Sequence, residues 1–297
     1  MTEAISRNGP ASPETAESFR TGKTGDDENF PVASALIAAP LRPVILAFCN
    51  FVRAGDDVAD HPTLEPERKR ALLDQLDQSL TGASDAEPLG VALRTRLLER
   101  GLSTRHARDL LDAFRLDVDK SRYANWDELI DYCALSAMPV GRFLLDVHGE
   151  SEDLWPASDF ICAALQINNH LQDCGKDFRD LNRVYIPLDA LAAVGAQAAE
   201  LGAARASPAL RSCLNGLAQK NRDLLERGAS LPGDIKDFRL GLEIAVILHH
   251  AREIAALLIA RDPLAERVKL TKTQMLFGAS SAAGGEAMAR ILGRRQK

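Results

Sequence analysis

Aromatic residues are scarce in this 297-residue chain, at 5% of the sequence, and no stretch shows a pattern that predicts β-hairpins or βαβ units. Leu and Ala, both strong helix formers, are instead abundant, and apolar residues recur at helical spacing from about residue 32 to residue 292. This pattern predicts an all-α protein. A chain of this length fits one helical domain that encloses a large internal cavity.

Paired cysteines are also lacking, because the five cysteines (Cys49, Cys133, Cys162, Cys174, Cys213) are scattered and form no CxxC motif. This spacing argues against a disulfide framework or a zinc site and favours reduced thiols with packing roles. The formal net charge of -6 disfavours a surface that binds polyanions, so nucleic acid is not an expected partner. Any phosphate group must therefore be held by a few placed cations or by metal ions.

Long apolar runs without charges are missing as well. The most apolar segment, residues 244–260, is interrupted by two histidines and by Arg252 and Glu253, which argues against a membrane span. Residues 1–27 are polar, lack the apolar centre of a signal peptide, and predict a disordered tail before a single domain of residues 28–297. We expect a cytoplasmic protein, a monomer or weak dimer, with peripheral contact at the inner face of the membrane left open.

Prolines, glycines and polar clusters divide the domain into helical segments. The predicted helices cover approximately residues 44–52, 67–80, 89–100, 104–119, 126–136, 159–186, 188–201, 208–227 and 236–260. Pro139 and Gly141 predict a kink after the fifth of these helices, because proline removes a backbone donor and glycine adds backbone freedom. A cavity can form at such a kink, although packing alone is an equal alternative.

The first acidic cluster, DDVAD, begins at Asp56. Asp56 and Asp60 are four residues apart, so on a helix their carboxylates share one face with Arg53, about one turn from each other. Asp57 projects roughly 100° away from this face. Two carboxylates on one face repel each other unless a cation lies between them. Hard oxygen ligands at this spacing suit magnesium that also binds diphosphate oxygens.

The second acidic cluster, DCGKD, begins at Asp173 and repeats this geometry. Asn169, Asp173, Asp177 and Asp180 follow at intervals of four, four and three, which places them on one helical face. The preceding part of the same helix is apolar, so we expect these acids to be buried and to face an internal cavity. Buried carboxylates need metal ions or cationic side chains as partners.

Each acidic cluster alone is more often a solvated acidic face than a metal site. Together they favour the metal site, because both follow apolar helical runs and both have arginines nearby, Arg53 for the first and Arg179 and Arg183 for the second. Arg183 lies just after the second cluster, where it can donate to phosphate oxygens.

Several motifs in a fixed order resemble the squalene and phytoene synthase family over residues 28–272. They are ENFPVAS from Glu28, residues 53–62, DAFR from Asp112, DYC from Asp131, PVGR from Pro139 and residues 169–187. The resemblance implies a helical isoprenoid synthase domain with two aspartate motifs facing each other across a central cavity. It also implies Mg²⁺ as cofactor and a prenyl diphosphate as substrate.

The resemblance also implies roles for particular residues. Asp56, Asp60, Asp173 and Asp177 correspond to the carboxylates that hold magnesium and, through it, the diphosphate. The residues that correspond to direct diphosphate ligands or their neighbours are Arg53, Arg183, Asn169 and Gln172. Tyr132 and Tyr185 match family tyrosines that orient diphosphate or stabilise positive charge, with a core packing role as the alternative for each.

Gln172 departs from the pattern of many family members, which carry Arg immediately before the second motif. The resemblance associates Gln at this position with a branch in which presqualene diphosphate loses diphosphate and water captures the cation. The first alternative is head-to-head condensation of two prenyl diphosphates. A second is a non-catalytic helical assembly protein, which is disfavoured because such a protein has no reason to keep four repelling carboxylates.

Overall fold

The computed structural model describes residues 15–19 and 37–294. The architecture of these residues is built from helices. Within these ranges the chain forms twelve α-helices and no β-strand, which confirms the all-α prediction. The helices are α1 (Arg42–Ala59), α2 (Pro66–Thr81), α3 (Pro88–Leu98), α4 (Arg105–Asp119), α5 (Trp126–Ser136), α6 (Met138–Val147), α7 (Trp155–Leu181), α8 (Leu188–Ala193), α9 (Pro208–Arg227), α10 (Leu231–Asp234), α11 (Phe238–Ala260) and α12 (Lys272–Arg294).

Two apolar clusters hold these helices together. The first is formed mainly by α1–α4 and α6 and includes Phe48 stacked on Phe143, with ring centroids 3.8 Å apart. The second is formed mainly by α5, α7, α9 and α11. The end of α1 is joined to the segment after α7 by an ion pair between Asp60 and Arg183. The two acidic clusters therefore lie where the two apolar clusters adjoin.

The helix predictions differ from the structure mainly at the ends of helices. Helix α7 begins at Trp155, before the predicted start, because Pro156 fits the first turn, where its missing N–H costs nothing. The predicted helix over residues 188–201 is wrong. Helix α8 ends at Ala193, Gly195 takes a left-handed conformation at φ 73°, and a 3₁₀ turn follows. Helix α12 lies beyond the last predicted helix.

The predicted kink is a break between two helices. Helix α5 ends at Ser136, Ala137 has φ -132° and ψ -48°, and α6 begins at Met138 with proline in its first turn. Gly141 has a packing role, because a Cβ atom there would lie 2.3 Å from Ser158 Oγ and 2.5 Å from Cys162 Sγ of α7. The small residue at 141 therefore lets α6 approach α7 closely.

We predict that Gly141→Ala lowers the free energy of unfolding by about 1–3 kcal/mol, because the added methyl group overpacks the contact between α6 and α7. Gly216→Ala is the matched control, since a Cβ atom at this α9 position meets nothing within 4 Å. It should stabilise the protein by up to about 1 kcal/mol through helix propensity. Urea denaturation of both variants measures the difference, and equal effects would contradict the packing role of Gly141.

Residues 15–19 fall within the predicted tail, yet they pack on the helical domain. The backbone N–H of Ala16, which is fully buried, donates to Glu87 Oε1 at 2.8 Å. The ring of Phe19 meets His61 edge-on at 5.4 Å. The rest of the predicted tail lies outside the described residues, so that its disorder stays a prediction.

Helix α11 contains the most apolar stretch of the sequence and packs against both α9 and α12. Among its charged residues, Arg252 pairs with Glu226 of α9 at 2.7 Å. His250 Nε2 lies 3.0 Å from the backbone oxygen of Met275 in α12. No helix in the described ranges combines the length and the apolar character needed to cross a membrane.

Candidate active site

The first acidic cluster lies at the carboxyl end of α1. Arg53 and Asp56 are partly exposed, and Asp60 follows the last turn, where its backbone N–H donates to the oxygen of Asp56 at 2.9 Å. Asp57 is only 2% exposed and projects into the protein, as the helical spacing predicts. Arg53, Asp56 and Asp60 are therefore the residues of this cluster that a ligand can reach.

The second acidic cluster lies on the carboxyl-terminal half of α7. Asn169 and Asp173 are exposed and Asp177 is partly buried, so the prediction that all these acids are buried is wrong. The opposite side of the helix packs at Gly175, where a Cβ atom would lie 3.3 Å from the backbone oxygen of Leu201. This half of α7 is thus covered on one side only, and its acidic face meets water.

The charges of the two acidic clusters act on each other. Burial, followed by repulsion from Asp173, raises the pKa of Asp177 to about 7, and Asp60 of the first cluster adds to this rise. Asp180 instead pairs with Lys176 at 3.8 Å on the exposed surface. Among the described residues, no three His, Cys, Asp or Glu side chains converge closely enough to form a complete metal site by themselves.

Arg183 connects the second motif to the first. It follows Asn182, which ends α7 in a left-handed conformation at φ 50° and so turns the chain back. The buried guanidinium donates to Asp60 Oδ1 at 2.5 Å and to the backbone oxygens of Asp117 at 3.0 Å and Ala59 at 3.4 Å. Arg183 therefore bridges the two acidic clusters, and its donors bind protein oxygens here; its predicted role as a diphosphate ligand stays a prediction.

All three tyrosines of the chain form one cluster. The ring centroids of Tyr123, Tyr132 and Tyr185 are 5.2 to 5.6 Å apart. The structure therefore brings together the two tyrosines that the sequence singled out and adds a third. Aromatic faces at this spacing form a surface that attracts a nearby cation.

Asp117, in the last turn of α4, holds two of these tyrosines. Its carboxylate accepts hydrogen bonds from the hydroxyls of Tyr132 at 2.7 Å and Tyr185 at 3.1 Å. Burial raises the pKa of Asp117 to about 6, against the opposing effects of Arg183 and the tyrosine hydroxyls. Hydrogen bonds thus run without a gap from Asp60 through Arg183 to Asp117 and the tyrosines.

The tyrosine cluster depends on two segments that run side by side. The backbone N–H of Val184 donates to Ser121 at 2.9 Å, and that of Leu188 donates to Tyr123 at 2.9 Å. These bonds place the residues after α7 alongside the connection between α4 and α5. Tyr185 is thereby fixed beside Tyr123, although the two residues are far apart in the sequence.

His170 completes the aromatic cluster. Its ring stacks on Tyr185 with centroids 3.6 Å apart. Burial, with a smaller effect of Arg183, lowers the pKa of His170 to about 3, so that the imidazole is neutral at physiological pH. Its Nε2 atom has no hydrogen-bond partner among the described residues.

Gln172 has a contact that the sequence did not predict. Its side-chain amide donates to the backbone oxygen of Val268 at 2.5 Å, in the connection between α11 and α12. The side chain therefore ties α7 to this connection, and the amide does so without adding a charge beside Asp173. A direct diphosphate contact of Gln172 stays a prediction.

The sequence reasoning missed Asp117, His170 and Tyr123. One signal for Asp117 was its position on the helix, because it follows Leu110, Ala113 and Phe114 at intervals of seven, four and three and so shares their buried face. His170 could also have been identified from the sequence, since it directly follows Asn169 in the helix that carries the second acidic cluster. The partners of both residues lie far away in sequence, so a single-helix pattern could not assign them.

Two surface clefts lie away from these residues. One, of about 330 Å³, is lined by residues that include Met138, just after the helix break, together with Trp126 and Phe160. The other, of about 350 Å³, is lined in part by Trp126 and Leu217. The helix break thus borders a cleft, as the sequence suggested, but neither cleft contains a predicted site residue.

The helical architecture and the two interacting acidic clusters define the class of all-α isoprenoid synthases with the terpenoid synthase fold. The chain belongs to the squalene/phytoene synthase family, because the family model of that description matches residues 23–274. Enzymes of this family act on prenyl diphosphates.

Curated relatives are similar over most of the chain. A hydroxysqualene synthase of Rhodopseudomonas palustris is 53% identical over 280 residues, which cover 94% of this chain and 96% of the relative. A hydroxysqualene synthase of Sinorhizobium fredii is 55% identical over 268 residues, covering 90% and 92%. Phytoene synthase 1 of Solanum lycopersicum is more distant, at 28% identity over 69% of this chain and 49% of the relative.

Solved structures share the fold. Squalene synthase HpnC from Alicyclobacillus acidocaldarius matches with a TM-score of 0.69 and 28% identity, covering 81% of this chain and 90% of that chain. A dehydrosqualene synthase matches with a TM-score of 0.65 at 19% identity, over 82% of this chain and 91% of that one. This second likeness extends to the fold alone.

Proposed function

We propose that the protein is a hydroxysqualene synthase, which converts presqualene diphosphate and water to hydroxysqualene and diphosphate in hopanoid biosynthesis. This proposal rests on sequence identity. Two hydroxysqualene synthases are 53% and 55% identical to this chain over at least nine-tenths of its length. The site is consistent with it, because acidic residues, arginine and an aromatic cluster adjoin one another.

Mg²⁺ fits the donors of this site. Asp56, Asp60, Asp173 and Asp177 supply hard carboxylate oxygens, and the repulsion that raises the pKa of Asp177 would be relieved by a cation. Mg²⁺ commonly binds to one or two carboxylates and to substrate phosphates, so these residues need not form a closed cage without substrate. When bound, the metal would neutralise the charge of the departing diphosphate.

The arginines and polar side chains of the site would bind the diphosphate. Arg53 lies on the same face of α1 as Asp56 and is proposed as a direct ligand. Asn169 and Gln172 precede Asp173 on α7 by four residues and one residue and are proposed to contribute polar contacts. Arg183 is proposed as a diphosphate ligand that also holds Asp60, through which it sets the distance between the two motifs.

The aromatic cluster would stabilise the cation. The bond between carbon and the diphosphate oxygen breaks, and the leaving group takes both electrons. The resulting cyclopropylcarbinyl cation opens its ring, a water oxygen bonds to the cationic carbon, and the water loses a proton. The aromatic rings of Tyr132 and Tyr185 would stabilise the positive charge of the cation. His170 is neutral and so adds no positive charge that would repel the cation.

The proposal predicts hydroxysqualene as product when the purified protein is incubated with presqualene diphosphate and magnesium in the absence of NADPH. Mass spectrometry of the extracted lipid identifies the product. A matched incubation with two equivalents of farnesyl diphosphate tests the condensation alternative. Squalene or phytoene as sole product, or activity only in the second incubation, would overturn the proposal.

We also propose that the protein works in the cytoplasm as a monomer or weak dimer, in peripheral contact with the inner face of the membrane. The chemistry supports the membrane contact, because both the substrate and the product carry long hydrocarbon chains. Such molecules partition into lipid rather than water.

A further inference from the structure

Large apolar side chains on α12 face outward. Leu276 and Phe277 are 69% and 71% exposed, and Met288, Ile291 and Leu292 are at least half exposed. These five are half of the exposed large apolar side chains in the described residues. At 100° per residue they lie within about half of the helix circumference. They form two groups on this side of the helix, with the small exposed residues Ser280, Ser281 and Gly284 between them. This side is here called the α12 face.

The other side of α12 carries small residues. Those that turn toward the rest of the protein include Gly278, Ala279, Ala282, Ala283 and Ala287. Gly278 lies so close to α11 that a Cβ atom would be 2.7 Å from the ring of His249. A helix that served only the core would place its large apolar residues inward and its polar ones outward. Helix α12 instead exposes five of its six large apolar side chains, and only Met275 packs against the core. This exposure indicates that an apolar partner covers the outer side of the helix.

Charges are absent from the α12 face and gather at its ends. Glu286 and Arg290, the charged residues between positions 273 and 292, pair with each other at 2.6 Å on the inner side. Lys272 precedes the face, and the sequence continues with Arg294, Arg295 and Lys297. Residues 272–297 thus contain five basic residues and one acidic residue, although the whole chain is acidic.

We propose that the α12 face docks on an anionic lipid bilayer. Exposed apolar side chains on a helix, together with nearby basic residues, favour binding to the interface of an anionic membrane. The basic residues would meet lipid phosphates while Phe277 and its neighbours enter the acyl boundary. The need for such a surface rests on the proposed function, because its substrate and product are lipids. The family model matches only to residue 274, so the face lies almost wholly outside the shared family region.

Sedimentation with sucrose-loaded vesicles tests this proposal without any substrate, so its result is independent of the enzymatic assay. The full chain is expected to sediment with vesicles of phosphatidylcholine and phosphatidylglycerol, and less with phosphatidylcholine alone. Added salt should weaken binding by screening the charges. Phe277→Ser combined with Met288→Ser should weaken binding by at least about tenfold, because two exposed apolar groups no longer enter the lipid.

Leu98→Ser is the matched control, since Leu98 is 73% exposed on α3, away from the α12 face. It should bind vesicles as the unaltered protein does, and circular dichroism should show that all variants keep their helices. The proposal is overturned if the unaltered protein fails to sediment with anionic vesicles or if the double variant binds equally well. It is also overturned if the face joins two copies, so that the lipid-free protein is a dimer and the double variant a monomer.

Discussion

Asp173→Ala is expected to lower kcat/KM for presqualene diphosphate by about a thousandfold while leaving the helical fold intact. Asp173 is exposed on α7, so its removal takes away no buried contact. The loss falls on catalysis, because removing one group that stabilises charge in the transition state typically costs two to three orders of magnitude. Diphosphate release under saturating magnesium measures the effect, and thermal unfolding measures stability.

Asp180→Ala is the matched control on the same helix. Asp180 is also exposed, but it pairs with Lys176 at 3.8 Å at the surface. Such an exposed pair contributes at most about 1 kcal/mol, and its loss should leave kcat/KM nearly unchanged. Equal losses in both variants would show that the total negative charge of α7 matters rather than Asp173 in particular. Full activity of Asp173→Ala would refute the role assigned to Asp173.

Asp117→Asn is expected to lower kcat by about a hundredfold with little change in KM. The amide keeps one acceptor oxygen and presents an N–H donor in place of the other, so the hydroxyl of Tyr132 or Tyr185 loses its acceptor and its ring is no longer held in place. A displacement of about 1 Å near the reacting atoms can cost this much, whereas diphosphate binding by other residues is kept. We therefore assign Asp117 a positioning role.

Product analysis separates this role from a general loss of folding, because a smaller active fraction would lower kcat but leave the product ratio unchanged. A greater share of products other than hydroxysqualene is expected, because misplaced aromatic faces guide the cation less well. Asp112→Asn is the control on the same helix, where Asp112 is exposed and pairs with Arg115 at 2.7 Å. Unaltered kcat in Asp117→Asn would contradict the positioning role.

Asp117 also makes stability depend on pH. Its folded pKa is raised to about 6 from an ordinary value of 3.8, so the unfolded chain releases this proton at lower pH than the folded protein does. Stability therefore falls as pH rises through that window. Relative to Asp117→Asn, the unaltered protein should lose about 2 kcal/mol between pH 4 and pH 6 in urea denaturation. A constant difference between the two proteins would show that burial does not raise this pKa.

The sequence predicted the all-α fold and the acidic clusters because both depend on local spacing. Asp56 and Asp60, like Asp173 and Asp177, share a helix face through periodicity alone. The same reasoning failed for residues 188–201, where Gly195 takes a left-handed conformation that no apolar pattern reveals. It also placed Asp173 in a buried cavity, because periodicity gives the face of a helix but not what covers it.

The links between the clusters were out of reach for a different reason. Arg183 and Asp60 are 123 residues apart in sequence, and Tyr185 and Asp117 are 68 apart. Such pairs form only after α4, α7 and the segment following α7 have packed. The sequence therefore identified Arg183, Tyr132 and Tyr185 as single residues, but not the carboxylate of Asp117 that aligns the two hydroxyls.

The gathering of all three tyrosines gives the protein an intrinsic optical reporter of its own site. The two tryptophans, Trp126 and Trp155, lie outside this cluster, so the phenol absorbance of the whole molecule comes from one place. Burial raises the pKa of Tyr132 and of Tyr185 well above the usual value. In an alkaline titration, the ultraviolet absorbance band of tyrosinate should therefore be absent until the site unfolds locally. The pH at which the band appears then marks this local unfolding.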